Sequence, residues 1–185
     1  MLYTKKGDTG TTKTFRCDQR ISKSSDITEA LGALDELNSF LGFIKAKTGN
    51  LSFQLKNNKI SIEKIIDAIQ SDIFIVQAEL AGSKMTINKE KVQEVEQLID
   101  VIEKELPPIK SFIISGATEL SALFDFSRAI ARRAERRLFK VVENNDIEIG
   151  LETKAYLNRL SSVLYALARL VSYKFGVTEQ HPNYK

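Results

Sequence analysis

The residues best suited to chemistry lie between Phe126 and Lys140, in the run Phe-Ser-Arg-Ala-Ile-Ala-Arg-Arg-Ala-Glu-Arg-Arg-Leu-Phe-Lys. On a helix advancing about 100° per residue, Asp125, Arg128, Arg132, Glu135 and Arg136 fall within an arc of roughly 100°. Arg128, Arg132 and Arg136 are successive i,i+4 neighbours, and like charges at that spacing cost about 0.2–0.5 kcal/mol per pair. An anion opposite the stack would offset that cost. Guanidinium forks match planar carboxylates and phosphates better than an ammonium does, so a phosphate-bearing ligand is the first expectation. Two other readings stay open on these residues alone. One is a solvated face bridged through Asp125 and Glu135. The other is a nucleic-acid-binding helix, opposed by the interspersed acids and by the lack of stacking aromatics on that arc.

Further polar segments could share the work. Tyr3-Thr4-Lys5-Lys6-Gly7-Asp8-Thr9-Gly10-Thr11-Thr12-Lys13 combines glycines, which let backbone approach a ligand, with hydroxyls and lysines that bind phosphate. Its spacing is not that of a P-loop, and a plain Gly/Thr turn is the alternative. Arg20-Ile21-Ser22-Lys23 adds cations that would otherwise read as solvated surface. Asp35 and Asn38 sit three residues apart beside an apolar stripe, as a solvated face or as a carboxylate that positions an arginine across a subunit contact. Phe112-Ile113-Ile114-Ser115-Gly116-Ala117 reads as a turn entering the core. Asn158 and Ser162 share a helix face next to Arg159, with Arg169 further along, as a ligand clamp or as structural hydrogen bonding.

Composition narrows the class. The 185 residues are enough for one domain with a sizeable core, and 43% hydrophobic with 28% charged residues is ordinary for a soluble globular chain. A net charge of +3 is too small for a non-specific nucleic-acid or membrane binder. Cys17 is the only cysteine, which excludes a disulfide framework and points to a reducing compartment. His181 is the only histidine and lies in a polar tail, so histidine-based zinc sites and a Ser-His-Asp triad are excluded unless that tail folds back. There is no apolar run of membrane length and no signal peptide at the first residues, so the chain reads as cytoplasmic.

The elements that must position these groups are helical. Prolines occur only at 107, 108 and 182, leaving long stretches unbroken. Residues 1–24 lack a helical period and read as an ordered arm, 25–176 as the helical body and 177–185 as a tail. Asp26 is the expected first cap, with Glu29 in the capping-box position. Ala30, Leu31, Leu34, Leu37, Leu41 and Ile44 then form a stripe ending near Gly49. Further helices are expected over 60–80, 88–106, from about 116 to 144, and 151–175. Five amphipathic helices with short links and no strand alternation predict an all-α, up-and-down bundle.

Taken in order, these segments resemble the PduO-type ATP:cob(I)alamin adenosyltransferases. The resemblance rests on Tyr3-Thr-Lys-Lys-Gly-Asp-Thr-Gly, Arg20-Ile-Ser-Lys, Glu29-Ala-Leu-Gly-Ala-Leu-Asp-Glu-Leu-Asn-Ser, Phe112-Ile, Arg128 through Arg137, and Tyr156-Leu-Asn-Arg-Leu-Ser. It implies a five-helix homotrimer with active sites between subunits, which moves the 5′-deoxyadenosyl group of ATP onto the cobalt of cob(I)alamin and releases triphosphate. By the same resemblance Thr4, Lys5, Lys6, Gly7, Thr12, Lys13 and Lys23 enclose the ATP phosphates with Mg²⁺, and no protein-only metal site is implied. Arg132, Arg133, Glu135 and Arg136 complete the nucleotide site with Asn158. Arg128 meets the reacting end of the triphosphate, held by Asp35 of a neighbouring subunit, and Phe112 lies against the corrin. A flavin-dependent reductase or an adenosylcobalamin-dependent enzyme is the implied protein partner, with neither nucleic acid nor membrane. Cobalt(I) is itself the nucleophile, so no catalytic Ser, Cys or His is needed. The alternative of the same fold is a sensor or chaperone that binds ATP or corrinoid without transfer. The chain departs from the family pattern at Lys13-Thr14-Phe15, at Ile114–Ala117, at Gln77, at Asp125 in place of a histidine and at Ser162 in place of an aspartate.

Overall fold

The computed structural model describes residues 3–14, 20–144 and 147–184; Phe15 and Cys17, singled out above, lie outside them. Among the described residues the chain forms five helices, α1 (Asp26–Thr48), α2 (Ile62–Leu80), α3 (Lys89–Glu103), α4 (Glu119–Asn144) and α5 (Leu151–Lys174). Two small antiparallel hairpins accompany them, β1 (Thr11–Thr12) with β2 (Ile21–Ser22) and β3 (Ser52–Gln54) with β4 (Lys59–Ser61). Helix α1 packs on α2 and α4, while α5 packs on α3 and α4. Helix α4 thus lies between α1 and α5. Residues 104–118 carry the chain from α3 to α4, and Phe112 stands on that crossing.

The period of the apolar residues fixed this arrangement. On α1 the buried positions are Ala30, Ala33, Leu34, Leu37, Asn38, Leu41 and Ile44, spaced by three and four. Leu31 is only partly buried, packed against the core from its edge. Helix α5 buries Tyr156, Leu157, Leu160, Val163, Leu164, Leu167, Leu170 and Val171, because it faces two neighbours. The hydroxyl of Tyr156 is enclosed with its proton strongly held: desolvation, then the charge of Asp72, raises its pKa beyond the normal tyrosine range.

Three helix starts differ from expectation. Ser25, not Asp26, caps α1, and its hydroxyl accepts from the Thr28 amide. The Asp26 carboxylate is engaged elsewhere, with Lys140 at 2.8 Å and Asn144 at 3.0 Å. Helix α2 begins at Ile62 because Ile60 pairs with Phe53 in the β3–β4 hairpin, an element the strand-free expectation omitted. Helix α4 begins at Glu119, after Gly116 turns the chain with φ +102°, a conformation that favours glycine.

The tail does fold back. The Ile114 amide donates to the Gln180 carbonyl at 2.8 Å, and Glu179 meets the buried Arg169 at 2.8 and 3.0 Å. His181 Nδ1 lies 2.8 Å from the Ser111 hydroxyl and 2.9 Å from the Phe112 carbonyl oxygen. The tail therefore braces the 109–116 segment rather than supplying a catalytic imidazole.

Because Leu160 is fully buried where α5 meets its neighbours, Leu160→Ala should lower unfolding free energy by about 2–5 kcal/mol. Urea denaturation measures this, and a loss below about 1 kcal/mol would contradict the placement of α5 at the centre of the core.

Candidate active site

Helix α4 sorts its cations by face. On the side toward α1, Arg133 pairs with Glu36, Arg137 with Glu29 at 2.9 Å, and Lys140 with Asp26 at 2.8 Å. The hydrogen bonds from Lys140 and then from Asn144 hold the Asp26 carboxyl below the usual carboxylate range. On the other side stand Arg128, Arg132 and Arg136. Among the described residues Arg132 and Arg136 have no carboxylate partner. Arg128 has one distant contact, Nε to Asp125 Oδ1 at 3.7 Å, and its guanidinium lies 5.7 Å from the Tyr165 ring centre. The Arg128 Nε is buried without a hydrogen bond.

This free row opens onto a groove of about 820 Å³ lined by Phe112, Arg128, Arg132, Ser161, Ser162 and Tyr165 among others. Phe112 is 79% exposed, so the sequence expectation of a turn entering the core fails at this residue. The ring stands at the wall of the groove, on a loop braced by the folded-back tail. Glu135, one turn beyond Arg132, accepts from Asn158 Nδ2 at 3.1 Å, which joins α4 to α5 at the rim. Arg159 donates to Asn158 Oδ1 at 2.8 Å and to Glu96 at 2.9 Å, and Arg169 is committed to Glu179 and to the Pro107 carbonyl. Both are structural.

The N-terminal loop is also built rather than loose. Arg20, which resembled surface charge in the sequence, spans it: Nε donates to the Thr11 hydroxyl at 2.7 Å, and Nη2 donates to the Thr11 carbonyl at 2.7 Å and to that of Lys6. The Lys23 amide donates to the Gly10 carbonyl at 3.0 Å. A Cβ at Gly7 would come within 3.0 Å of Lys23 Nζ, so glycine allows that lysine to lie across the turn. Thr4, Lys5, Lys6 and Lys13 stay exposed around it, and Thr12 is half-buried. Among the described residues no hydrogen bond or ion pair links this loop to the arginines of α4.

On α1, Asp35 is exposed and unpaired among the described residues, while Asn38 is buried with its side-chain oxygen unsatisfied. The exposed Phe43 and Phe126 flank Phe40 on the neighbouring surface, with ring centres 5.9 and 5.1 Å from it. The sequence had offered Asp35 and Asn38 as one face; the fold separates them into an exposed and an enclosed group.

The comparisons with known proteins fit this architecture. A cobalamin adenosyltransferase family model matches residues 2–171, and the chain belongs to that family. It is 36% identical over 175 residues to the corrinoid adenosyltransferase PduO of Citrobacter freundii, covering 91% of this chain and 49% of the relative. It thus spans about half the length of that PduO protein, and likewise 48% of its Salmonella typhimurium counterpart. Against the corrinoid adenosyltransferase of Bacillus subtilis it is 36% identical over 178 residues, covering 95% of this chain and 89% of the relative. Among solved structures, a variant PduO-type ATP:corrinoid adenosyltransferase from Lactobacillus reuteri complexed with cobalamin and ATP superposes with TM-score 0.87 at 26% identity, covering 100% of this chain and 97% of the other.

The ion-paired face of α4 is scaffolding on this geometry. Arg137→Ala should cost no more than about 1 kcal/mol of stability, the usual worth of an exposed pair. Thermal unfolding checks it, and a large loss would show that the row facing α1 is a principal support of the bundle.

Proposed function

We propose that the chain transfers the 5′-deoxyadenosyl group of ATP to the cobalt of a reduced corrinoid and releases triphosphate, as a cytoplasmic homotrimer. The observation that carries this reading is the free arginine row of α4, opening at Arg128 and Arg132 onto the groove beside Phe112. Family membership supports it, as does the groove, large enough to take part of a macrocycle.

In this reading cobalt(I) gives two electrons to C5′. The cobalt–carbon bond forms as the C5′–oxygen bond breaks, the metal ends as cobalt(III), and the bond pair leaves with triphosphate. The protein's task is alignment and stabilisation of charge on the departing group. Arg132 and Arg136 hold phosphates together with Thr4, Lys5, Lys6, Gly7, Thr12, Lys13 and Lys23 of a neighbouring subunit. Separation of the loop from α4 within one chain supports that division, as do the unpaired Asp35 and the exposed Phe43 and Phe126 on the same surface. Asp35 of one subunit holds Arg128 of the next at the reacting end. Glu135 and Asn158 orient the nucleoside, and Arg133 fixes α4 against α1 through Glu36. Phe112 covers the corrin and helps exclude a lower axial ligand. Mg²⁺ would enter with the nucleotide, bound by phosphates, water and the threonine hydroxyls. A reductase or an adenosylcobalamin-dependent enzyme would meet the exposed Phe112 side.

Anaerobic incubation with ATP, Mg²⁺ and cob(I)alamin should yield a cobalt–carbon product and one triphosphate per turnover. ATP binding without product would establish the sensor reading instead. Arg132→Ala should lower kcat/KM for ATP about 10²-fold with unchanged helical content, and unchanged kinetics would remove Arg132 from the site.

A further inference from the structure

Beneath the groove lies a cluster of charge of which the proposed reaction uses only Arg128. Asp125, on the turn of α4 before Arg128, faces a small cavity shared with Ile113, Gly116, Tyr165, Arg169 and Glu179. Four elements meet there: the loop before α4, α4 itself, α5 and the folded-back tail. The Asp125 carboxylate has Arg128 Nε at 3.7 Å, and the Ser115 hydroxyl of the loop favours its charged form. Glu179, on the tail, opposes that charge but is itself bound by Arg169 at 2.8 and 3.0 Å. Tyr165 stands between the two pairs, with the Arg128 guanidinium over its ring.

Arg128 is therefore confined on two sides by its own chain, by the Asp125 carboxylate and by the Tyr165 ring. Its Nε is enclosed with no hydrogen bond, which leaves the charge of Asp125 as the attraction that draws this edge of the guanidinium inward. The outer edge lines the groove with Phe112.

We propose that Asp125 is a positioning residue: acting through Arg128, it sets the guanidinium at the groove wall and couples that setting to the loop that carries Phe112. A histidine could not supply this fixed negative charge, so the device belongs to chains with a carboxylate at this place. Two carboxylates then share Arg128, Asp125 from within the chain and Asp35 from the neighbouring subunit. The first is present within a single chain, and the second depends on assembly.

Protonation should release the arginine. Burial raises the Asp125 carboxyl above its ordinary range, against the charge of Arg128 and the Ser115 hydroxyl, which lower it. The groups facing it are Arg128 on its own helix, Ser115 on the loop, Tyr165 and Arg169 on α5, and Glu179 on the tail. Above the raised pKa the carboxylate holds Arg128; as pH falls through it, the hold is lost.

The kinetic part of the test rests on the proposed transfer reaction, and the spectroscopic part does not. Asp125→Asn should lower kcat about tenfold while KM for ATP stays within about twofold, the pattern of an interaction realised in the transition state. Wild-type kcat should show an acid limb that is absent in Asp125→Asn. Ser115→Ala should move the limb to higher pH, because it removes a group that favours the ionised carboxyl. In ¹⁵N NMR, a slowly exchanging Arg128 Nε–H, assigned by its loss in Arg128→Ala, should disappear in Asp125→Asn with thermal unfolding unchanged. Retention of that resonance, or of the acid limb, in Asp125→Asn overturns the inference. If the wild-type protein makes no cobalt–carbon product, the proposed reaction fails, and the Arg128 resonance alone decides the role of Asp125.

Discussion

Two adjacent rows of cations on one helix repel each other, and neutralising one row from within the chain relieves that cost. Helix α4 gains that relief from α1. Glu36, Glu29 and Asp26 take up Arg133, Arg137 and Lys140, and these contacts tie the second half of α4 to α1. Among the described residues the opposite row has no carboxylate partner at Arg132 and Arg136, and both stand exposed. Each pair is worth little as stability, since exposed ion pairs contribute roughly 0–1 kcal/mol. Their effect is directional: they determine which arginines are spent and which stay free for an anion.

The other parts of the site follow from that orientation. Helix α5 packs on α4 and brings Tyr165, Ser161 and Asn158 to the edge of the free row. The crossing from α3 to α4 passes over the same edge and presents Phe112. It keeps its shape because the tail bonds to it at Ile114, Ser111 and the Phe112 carbonyl, while Arg169 anchors the tail through Glu179. The buried Arg169 is thus a support for the groove and not a ligand, its charge matched by the partly buried carboxylate that meets it.

Much of this was legible in the sequence. Helical period located all five helices, because apolar residues at three- and four-residue spacing leave little choice of buried face. The arginine row could be read for the same reason. What escaped were features set by long-range contact. The Ser25 cap lost to Asp26 in the sequence reading because nothing local shows that Asp26 is drawn away to Lys140 and Asn144 on α4. The β3–β4 hairpin has strands of three residues, too short for alternation to register, and only the Asn57-Asn58 pair between them hinted at a turn. Arg20 looked like surface charge because two of its three hydrogen bonds go to backbone carbonyls, which carry no signature in sequence. Phe112 looked like core because hydrophobicity alone does not tell a buried ring from an exposed one.

The central claim is that each active site is completed by two subunits, with Asp35 from one and Arg128 from the next. Subunit mixing tests it most directly. Asp35→Asn and Arg128→Ala proteins, each nearly inactive alone, should regain activity when co-assembled. Random association should restore about a quarter of the sites, those that pair an intact Asp35 with an intact Arg128 across a heterologous interface. A co-assembled mixture no more active than the average of its two parents would contradict the account and return the site to a single chain.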